Sequence, residues 1–276
     1  MKLTNLFIEF TSYCNLRCKF CSLDDSRPKG YMSEETFITI LDNIIKHKHD
    51  IDTINLYMAG ETLLHPEFNN ILSILSSYKK DNKDFPKISI TTNGVFLDEE
   101  KIHSILECVD IIKISIDAGY KEGFEEIRRG AKWDDVLSNV ENLIRIKDKE
   151  QSNIIIRILC LQYDWLKAEK RFKLLTKKVE FQKSKLWDFI GTKDVGVKVK
   201  GNNNKRSCAK LDNTLVILWD GRVSTCCLDL NGEIIIGDIN KSSLVEIYNC
   251  DKRLNMIKIM KEKGRQYVDS CKNCKV

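Results

Sequence analysis

Three cysteines, Cys14, Cys18 and Cys21, stand at CxxxCxxC spacing directly after a strand-like apolar run, Leu6, Phe7, Ile8 and Phe10. A loop leaving that strand can bring three thiolates onto one small object. Thiolates hold iron–sulfur clusters and zinc alike, but a structural zinc site takes four protein ligands and this group offers three. On a four-iron cluster the missing ligand leaves one iron open to a substrate or cofactor, which is what separates catalytic from structural metal sites. A zinc knuckle, or chance clustering among eleven cysteines, is the competing reading. A second constellation lies near the end of the chain: Cys208, Cys226 in a Gly-x4-Cys spacing from Gly221, and the pair Cys271 and Cys274 at CxxC spacing. Four ligands close such a site to direct substrate binding, so its role is expected to be electronic; a structural zinc on the same four thiols is the alternative. Cys108, Cys160, Cys227 and Cys250 remain as spare thiols, which by default behave as small buried hydrophobes.

The elements that must position these groups follow from periodicity. From residue 1 to about 190, short β-rich runs alternate with amphipathic stretches, the form of repeated βα units and a parallel sheet. Strands are expected at Leu6–Phe10, Thr53–Tyr57, Lys87–Thr92, Ile111–Ile116, Asn153–Leu159 and Lys185–Ile190. Helices are expected at Ser33–His47, Glu67–Lys79, Asp98–Glu107, Trp133–Lys147 and Trp165–Val179, the first with Ser33 near its N-cap and Glu34 and Glu35 in its first turn. Six units are too few for a closed eight-stranded barrel. Ligands in such architectures gather beyond the carboxyl ends of the strands, and the cysteine loop lies on that rim. On the fourth strand, alternation puts Lys113, Ser115 and Asp117 on one face, as for a lined lumen. Arg157, the one charge in the fifth strand, is expected to face the same lumen, either at the site or in a structural ion pair.

The bulk numbers narrow the classes. The chain has 276 residues, 42% hydrophobic and 31% charged, enough for a large core, and its net charge of +5 does not by itself point to nucleic acid or membrane. Residues 1–5 lead straight into a strand-like run without an apolar h-region, and no eighteen-residue apolar stretch follows, so a cytoplasmic protein is expected. Eleven cysteines in a reducing compartment indicate metal or redox chemistry rather than disulfides. Gly191 to Arg206, rich in Lys, Gly and Asn, reads as a linker, dividing the chain into 1–190, 191–207 and 208–276. The last part is expected to carry a hairpin, Leu215–Trp219 and Arg222–Cys227 around Asp220-Gly221, then a helix over Ser243–Lys263.

With Phe20 in the aromatic position of CxxxCx-aromatic-C, the first motif resembles that of the radical S-adenosylmethionine (radical SAM) enzymes. That resemblance implies a partial, open (β/α)6 TIM-like barrel, an α/β fold, and a [4Fe-4S] cluster whose open iron binds S-adenosylmethionine, cleaved by one electron to a 5′-deoxyadenosyl radical. It implies a flavodoxin- or ferredoxin-type electron donor. Ala59, Gly60 and Glu61 take the place of the family's Gly-Gly-Glu turn, with alanine for the first glycine, where main-chain carbonyls meet the cofactor ammonium. Asn93 ends the third strand in a turn. By resemblance, Ser115 and Asp117 contact ribose and amino-acid portions of the cofactor, and Arg128, with Arg129 as alternative, pairs with its carboxylate.

The C-terminal part resembles the twitch module, the shortened relative of the SPASM domain, a small α+β unit holding one auxiliary [4Fe-4S] cluster. The Gly-x4-Cys spacing selects Cys226, and Cys227 is expected on the opposite face of its strand. A full SPASM domain needs further cysteines, and only Lys275 and Val276 follow. The leading expectation is oxidation of a carbinol on a polar, sugar- or aminocyclitol-like small molecule, with the auxiliary cluster as electron acceptor. Epimerisation with Cys250 or Cys227 as hydrogen donor, and modification of a peptide substrate, are the alternatives. From another class, a non-catalytic iron–sulfur or zinc scaffold would need neither the open iron nor the polar strand.

Overall fold

The computed structural model describes residues 1–23, 27–161, 170, 178–184 and 205–274. Its backbone is one open sheet. Six parallel strands, β1 (Leu3–Ile8), β2 (Ile51–Leu56), β3 (Lys87–Thr92), β4 (Ile111–Ser115), β5 (Ile155–Leu161) and β6 (Glu180–Ser184), lie side by side in chain order. Between them run helices α1 (Glu34–Lys46), α2 (Phe68–Asp81), α3 (Glu99–Cys108), α4 (Lys121–Ile127) and α5 (Trp133–Lys149). The strands put Leu6, Ile8, Ile54, Leu56, Ile88 and Ile90 into the core at 0% exposure, and Ile112, Ile114, Ile156 and Ile158 continue it. Helix starts obey local chemistry: the Ser33 hydroxyl accepts from the Thr36 N–H at 3.2 Å, and Asp98 accepts from the Lys101 N–H at 2.9 Å.

The C-terminal part extends this sheet. After the short α6 (Ala209–Asn213), β7 (Thr214–Ile217) pairs parallel with β1, and β8 (Arg222–Ser224) and β9 (Ile235–Asp238) follow antiparallel, so β6 and β9 are the two ends. A fully buried β7, apolar after Thr214, covers the edge β1 would otherwise expose. Asn43 of α1 accepts from the Leu244 N–H at 3.0 Å, and Thr36 donates to Asn240 at 3.1 Å, fastening the same region to the first helix.

Several boundaries differ from the expectations. The sixth strand comes earlier, at Glu180–Ser184, and Lys185–Ile190 lies outside the described residues, as do nearly all of the expected helix Trp165–Val179 and most of the linker. Helix α4 was not expected; it is only seven residues long and lacks a side-chain cap. The expected helix Ser243–Lys263 is two, α7 (Leu244–Tyr248) and α8 (Asp251–Lys263). The corner is held by Arg253, which is 2% exposed, stacks 3.8 Å from the Tyr248 ring and donates to the Leu211, Asp212 and Tyr248 carbonyls. Those bonds engage both terminal nitrogens of the guanidinium, leaving the buried Nε without a partner, and they tie the turn to α6.

Candidate active site

The cysteine loop is gripped by the rim turns that follow β2, β3 and β4. Glu61 donates its backbone N–H to the Tyr13 carbonyl at 2.8 Å, and Asn93 donates its side-chain amide to Asn15 at 2.9 Å. The backbone N–H groups of Arg17 and Lys19 reach the carbonyls of Arg129 and Ile127 at 3.0 and 2.9 Å. Gly60 is required by this approach: a Cβ there would lie 2.1 Å from the Thr11 carbonyl oxygen and 2.6 Å from that of Tyr13. Ala59, where the family has glycine, is 8% exposed and donates its N–H to Glu9 at 3.3 Å.

Glu61 faces inward. Its carboxylate accepts from the Thr92 hydroxyl at 2.7 Å and from the N–H groups of Asn93 and Leu63 at 2.8 and 3.2 Å, welding the ends of β2 and β3. Burial raises its pKa against those bonds. Asp117, 1% exposed, and Arg128 pair with each other at 2.5 Å, and a second Arg128 nitrogen lies 3.6 Å from the Cys18 sulfur. The same guanidinium sits 5.2 Å from the Phe20 ring centroid. Burial opposes the charge on Arg128, but Asp117 and Cys18 outweigh it and raise its pKa. Ser115 is 9% exposed at the end of β4.

The three thiols suit a metal cluster. All are half-buried, and Cys14 and Cys18 pack against the main core. Burial pushes Cys14 up to about 11, with Glu61 and the other two thiols adding to the rise, and raises Cys18 against the opposing Arg128 charge. Neutral thiols of this kind become ligands by releasing protons to the metal, and a cationic arginine beside one sulfur stabilises the resulting charge.

Cys208, Cys226, Cys271 and Cys274 line a single cavity of about 420 Å³, its mouth included. Leu211, Leu228, Ile234, Met256 and Met260 make the rest of the wall largely apolar, interrupted by Lys210, Thr225 and Arg265. Burial pushes Cys271 up to about 12 and Cys226 well above the ordinary thiol value. Among the described residues, no three His, Cys, Asp or Glu side chains close around a single ion. Four thiols about one largely apolar cavity can hold an iron–sulfur cluster.

Cys226 and Cys227 do point apart, but not by strand alternation. β8 ends at Ser224, and the two lie in the turn beyond it. Cys226 enters the cavity, whereas Cys227 packs with Phe7, Tyr57 and Val216 and receives Lys210 at 3.6 Å. Cys250 instead precedes α8 as its N-cap and packs against the main core.

On the inner face of the sheet, Lys113 lies 5.9 Å from the Tyr57 ring centroid and pairs in register with Thr91 and Arg157. Burial, then the Arg157 charge, lowers Lys113 to about 8, and burial lifts Tyr57 to about 12. Arg157 is in an ion pair with Glu180 of β6 at 2.6 Å. A hydrogen bond at 3.0 Å between Asn55 and Asn5 makes this face polar further down, and the fully buried Ser89 hydroxyl has no hydrogen-bond partner.

Sequence reasoning missed Glu9 and Arg27. Their side chains are each 1% exposed and paired through two bonds, at 2.8 and 2.5 Å. Arg27 also donates to the Leu230 carbonyl at 2.8 Å, and Glu9 accepts from the Trp219 N–H at 3.3 Å, joining the end of β1 to the C-terminal part. A charge ending an apolar strand, Glu9 after Ile8, was the available signal.

Residues 8–161 match the Radical SAM superfamily, and residues 208–275 match SPASM, an iron–sulfur cluster-binding domain. The chain belongs to the radical SAM superfamily, whose cofactors are a [4Fe-4S] cluster and S-adenosylmethionine, and its second matched domain adds auxiliary iron–sulfur binding.

Over 270 residues it is 23% identical to the S-adenosyl-L-methionine-dependent 2-deoxy-scyllo-inosamine dehydrogenase of Niallia circulans, covering 97% of this chain and 90% of that protein. Other curated relatives are matched over less: the UPF0026 protein of Helicobacter pylori strain 26695 is 25% identical over 154 residues, 54% of this chain and 48% of that protein. The chain thus spans about half or less of the length of the first such relatives. Among solved structures, BtrN in complex with AdoMet and 2-DOIA shares the fold with a TM-score of 0.70 at 21% identity, covering all of this chain and 95% of that one. Streptococcus suis SuiB bound to precursor peptide SuiA has a TM-score of 0.74 at 12% identity, covering all of this chain and 71% of that one.

Proposed function

We propose that this chain is a radical SAM oxidoreductase that dehydrogenates a carbinol of a polar aminocyclitol- or sugar-like small molecule. The observation that carries the reading is the polar inner face, where Lys113 lies 5.9 Å from the Tyr57 ring and Tyr57 packs on the same cluster as Cys227, the neighbour of the proposed auxiliary ligand Cys226. Similarity to the scyllo-inosamine dehydrogenase over nearly the whole chain supports it. Residues 1–190 form the radical module, 191–207 a linker and 208–276 the auxiliary module, and the protein works in the reducing cytoplasm with a flavodoxin- or ferredoxin-type donor.

The bound cofactor and clusters supply the radical that removes a hydrogen atom and the acceptor for the electron left behind. Cys14, Cys18 and Cys21 hold the first cluster, and Cys208, Cys226, Cys271 and Cys274 the single auxiliary one. Gly60, Ser115 and the Asp117–Arg128 pair shape the cofactor pocket, with Asn93 and Glu61 fixing its walls. Arg157 and Glu180 bind substrate hydroxyls. Lys113, as the neutral amine, takes the hydroxyl proton as the carbonyl forms.

The pH dependence follows with a definite sign. An amine lowered from 10.5 to about 8 gains its neutral form as pH rises, so ketone formation should climb through pH about 8 and level off above it. Lys113→Met should lose that limb and slow turnover by about 10²-fold or more. An unchanged profile in Lys113→Met removes the assignment; a product that gains solvent deuterium without becoming a ketone replaces dehydrogenation with epimerisation. The packing of Cys227 with Tyr57 and Phe7 favours it over Cys250 as hydrogen donor in that second reading.

A further inference from the structure

The apolar cavity that gathers four cysteines also contains an arginine. Arg265 is 2% exposed and begins the short turn after α8. Its backbone N–H bonds the Lys205 carbonyl at 2.9 Å, and its guanidinium donates to the Cys274 carbonyl at 2.9 Å. It lines the cavity with the four thiols. Two other charges bear on the same space. Lys210 lines it while donating to Cys227, and Asp229, fully buried, accepts from the Ser224 hydroxyl and from the Glu233 and Ile234 N–H groups.

A cluster's reduction potential depends on net charge, hydrogen bonds and exposure to solvent. In a buried, largely apolar setting a fixed positive charge acts with little screening and favours the more negative, reduced form. We propose that Arg265 is a positioning residue that raises the reduction potential of the auxiliary cluster, so that the four-cysteine site accepts an electron from the substrate rather than giving one up. This rests on the reading of those cysteines as cluster ligands. An arginine keeps its charge at every working pH and is therefore a steady bias.

The test is an anaerobic redox titration of the full two-cluster chain followed by electron paramagnetic resonance, the N-terminal signal being the one that S-adenosylmethionine perturbs. Arg265→Gln should retain the iron and shift the auxiliary midpoint downward, by at least a tenfold change in the reduced-to-oxidised ratio at fixed potential, about 59 mV for one electron. Arg265→Lys should recover most of that shift. An iron-replete Arg265→Gln with an unmoved midpoint overturns the inference. So does loss of the auxiliary iron in Arg265→Gln, which would make the arginine a clamp for the Cys274 loop. A wild-type chain holding only the N-terminal cluster would instead defeat the underlying reading of the four cysteines.

Discussion

Cys18→Ala should abolish formation of 5′-deoxyadenosine under dithionite while leaving about four of about eight iron atoms on the chain. With the three thiols as the proposed protein ligand set of the N-terminal cluster, losing one leaves a two-cysteine site that cannot hold four irons. Cys18 is also the sulfur that Arg128 approaches at 3.6 Å, and its removal strands the Asp117–Arg128 pair beside an empty position. The auxiliary cavity shares none of these residues, which is why its iron should survive. Analysis of iron together with chromatography of the nucleoside products checks both halves. Persistent 5′-deoxyadenosine would show that the radical is made elsewhere.

Arg27→Met should destabilise the fold by about 3–5 kcal/mol, read as a lower urea midpoint at unchanged slope. The loss does not come from a strong attraction forgone. It comes from a Glu9 carboxylate left 1% exposed with no cation to meet it, in a place where burial already raises its pKa despite Arg27. A group whose folded pKa is raised favours folding least at high pH, so the deficit should shrink as pH falls toward 4.5, the ordinary value. Glu9→Leu combined with Arg27→Met should restore most of the stability, since an apolar pair of similar volume needs no compensation. The single variant should also loosen the C-terminal part, because Arg27 is what reaches the Leu230 carbonyl.

The strands and most helices were legible because each satisfies a local rule. Ile88 and Ile90 alternate against Ser89 and Thr91, and Ser33 and Asp98 cap the helices they precede. The cysteine loop was legible because CxxxCxxC is a statement about ligands and needs no tertiary information. What escaped was decided by long-range contact. The pairing of β7 with β1 depends on an edge more than two hundred residues away, and the corner between α7 and α8 is held by the long-range bonds of one buried guanidinium. Arg128 was read as a cofactor clamp by resemblance, and its short bond to Asp117 is a tertiary contact that this reading did not include. The opposed directions of Cys226 and Cys227 were anticipated for the wrong reason, a strand where the chain makes a turn.

The most direct measurement is label transfer in an anaerobic, dithionite-reduced reaction on a polyhydroxylated aminocyclitol such as 2-deoxy-scyllo-inosamine, deuterated at its carbinol carbons. Dehydrogenation at the carbinol should place deuterium in 5′-deoxyadenosine in proportion to ketone formed, with no solvent hydrogen fixed at carbon. Unlabelled 5′-deoxyadenosine, or an inverted carbinol bearing solvent hydrogen in place of a ketone, would contradict it.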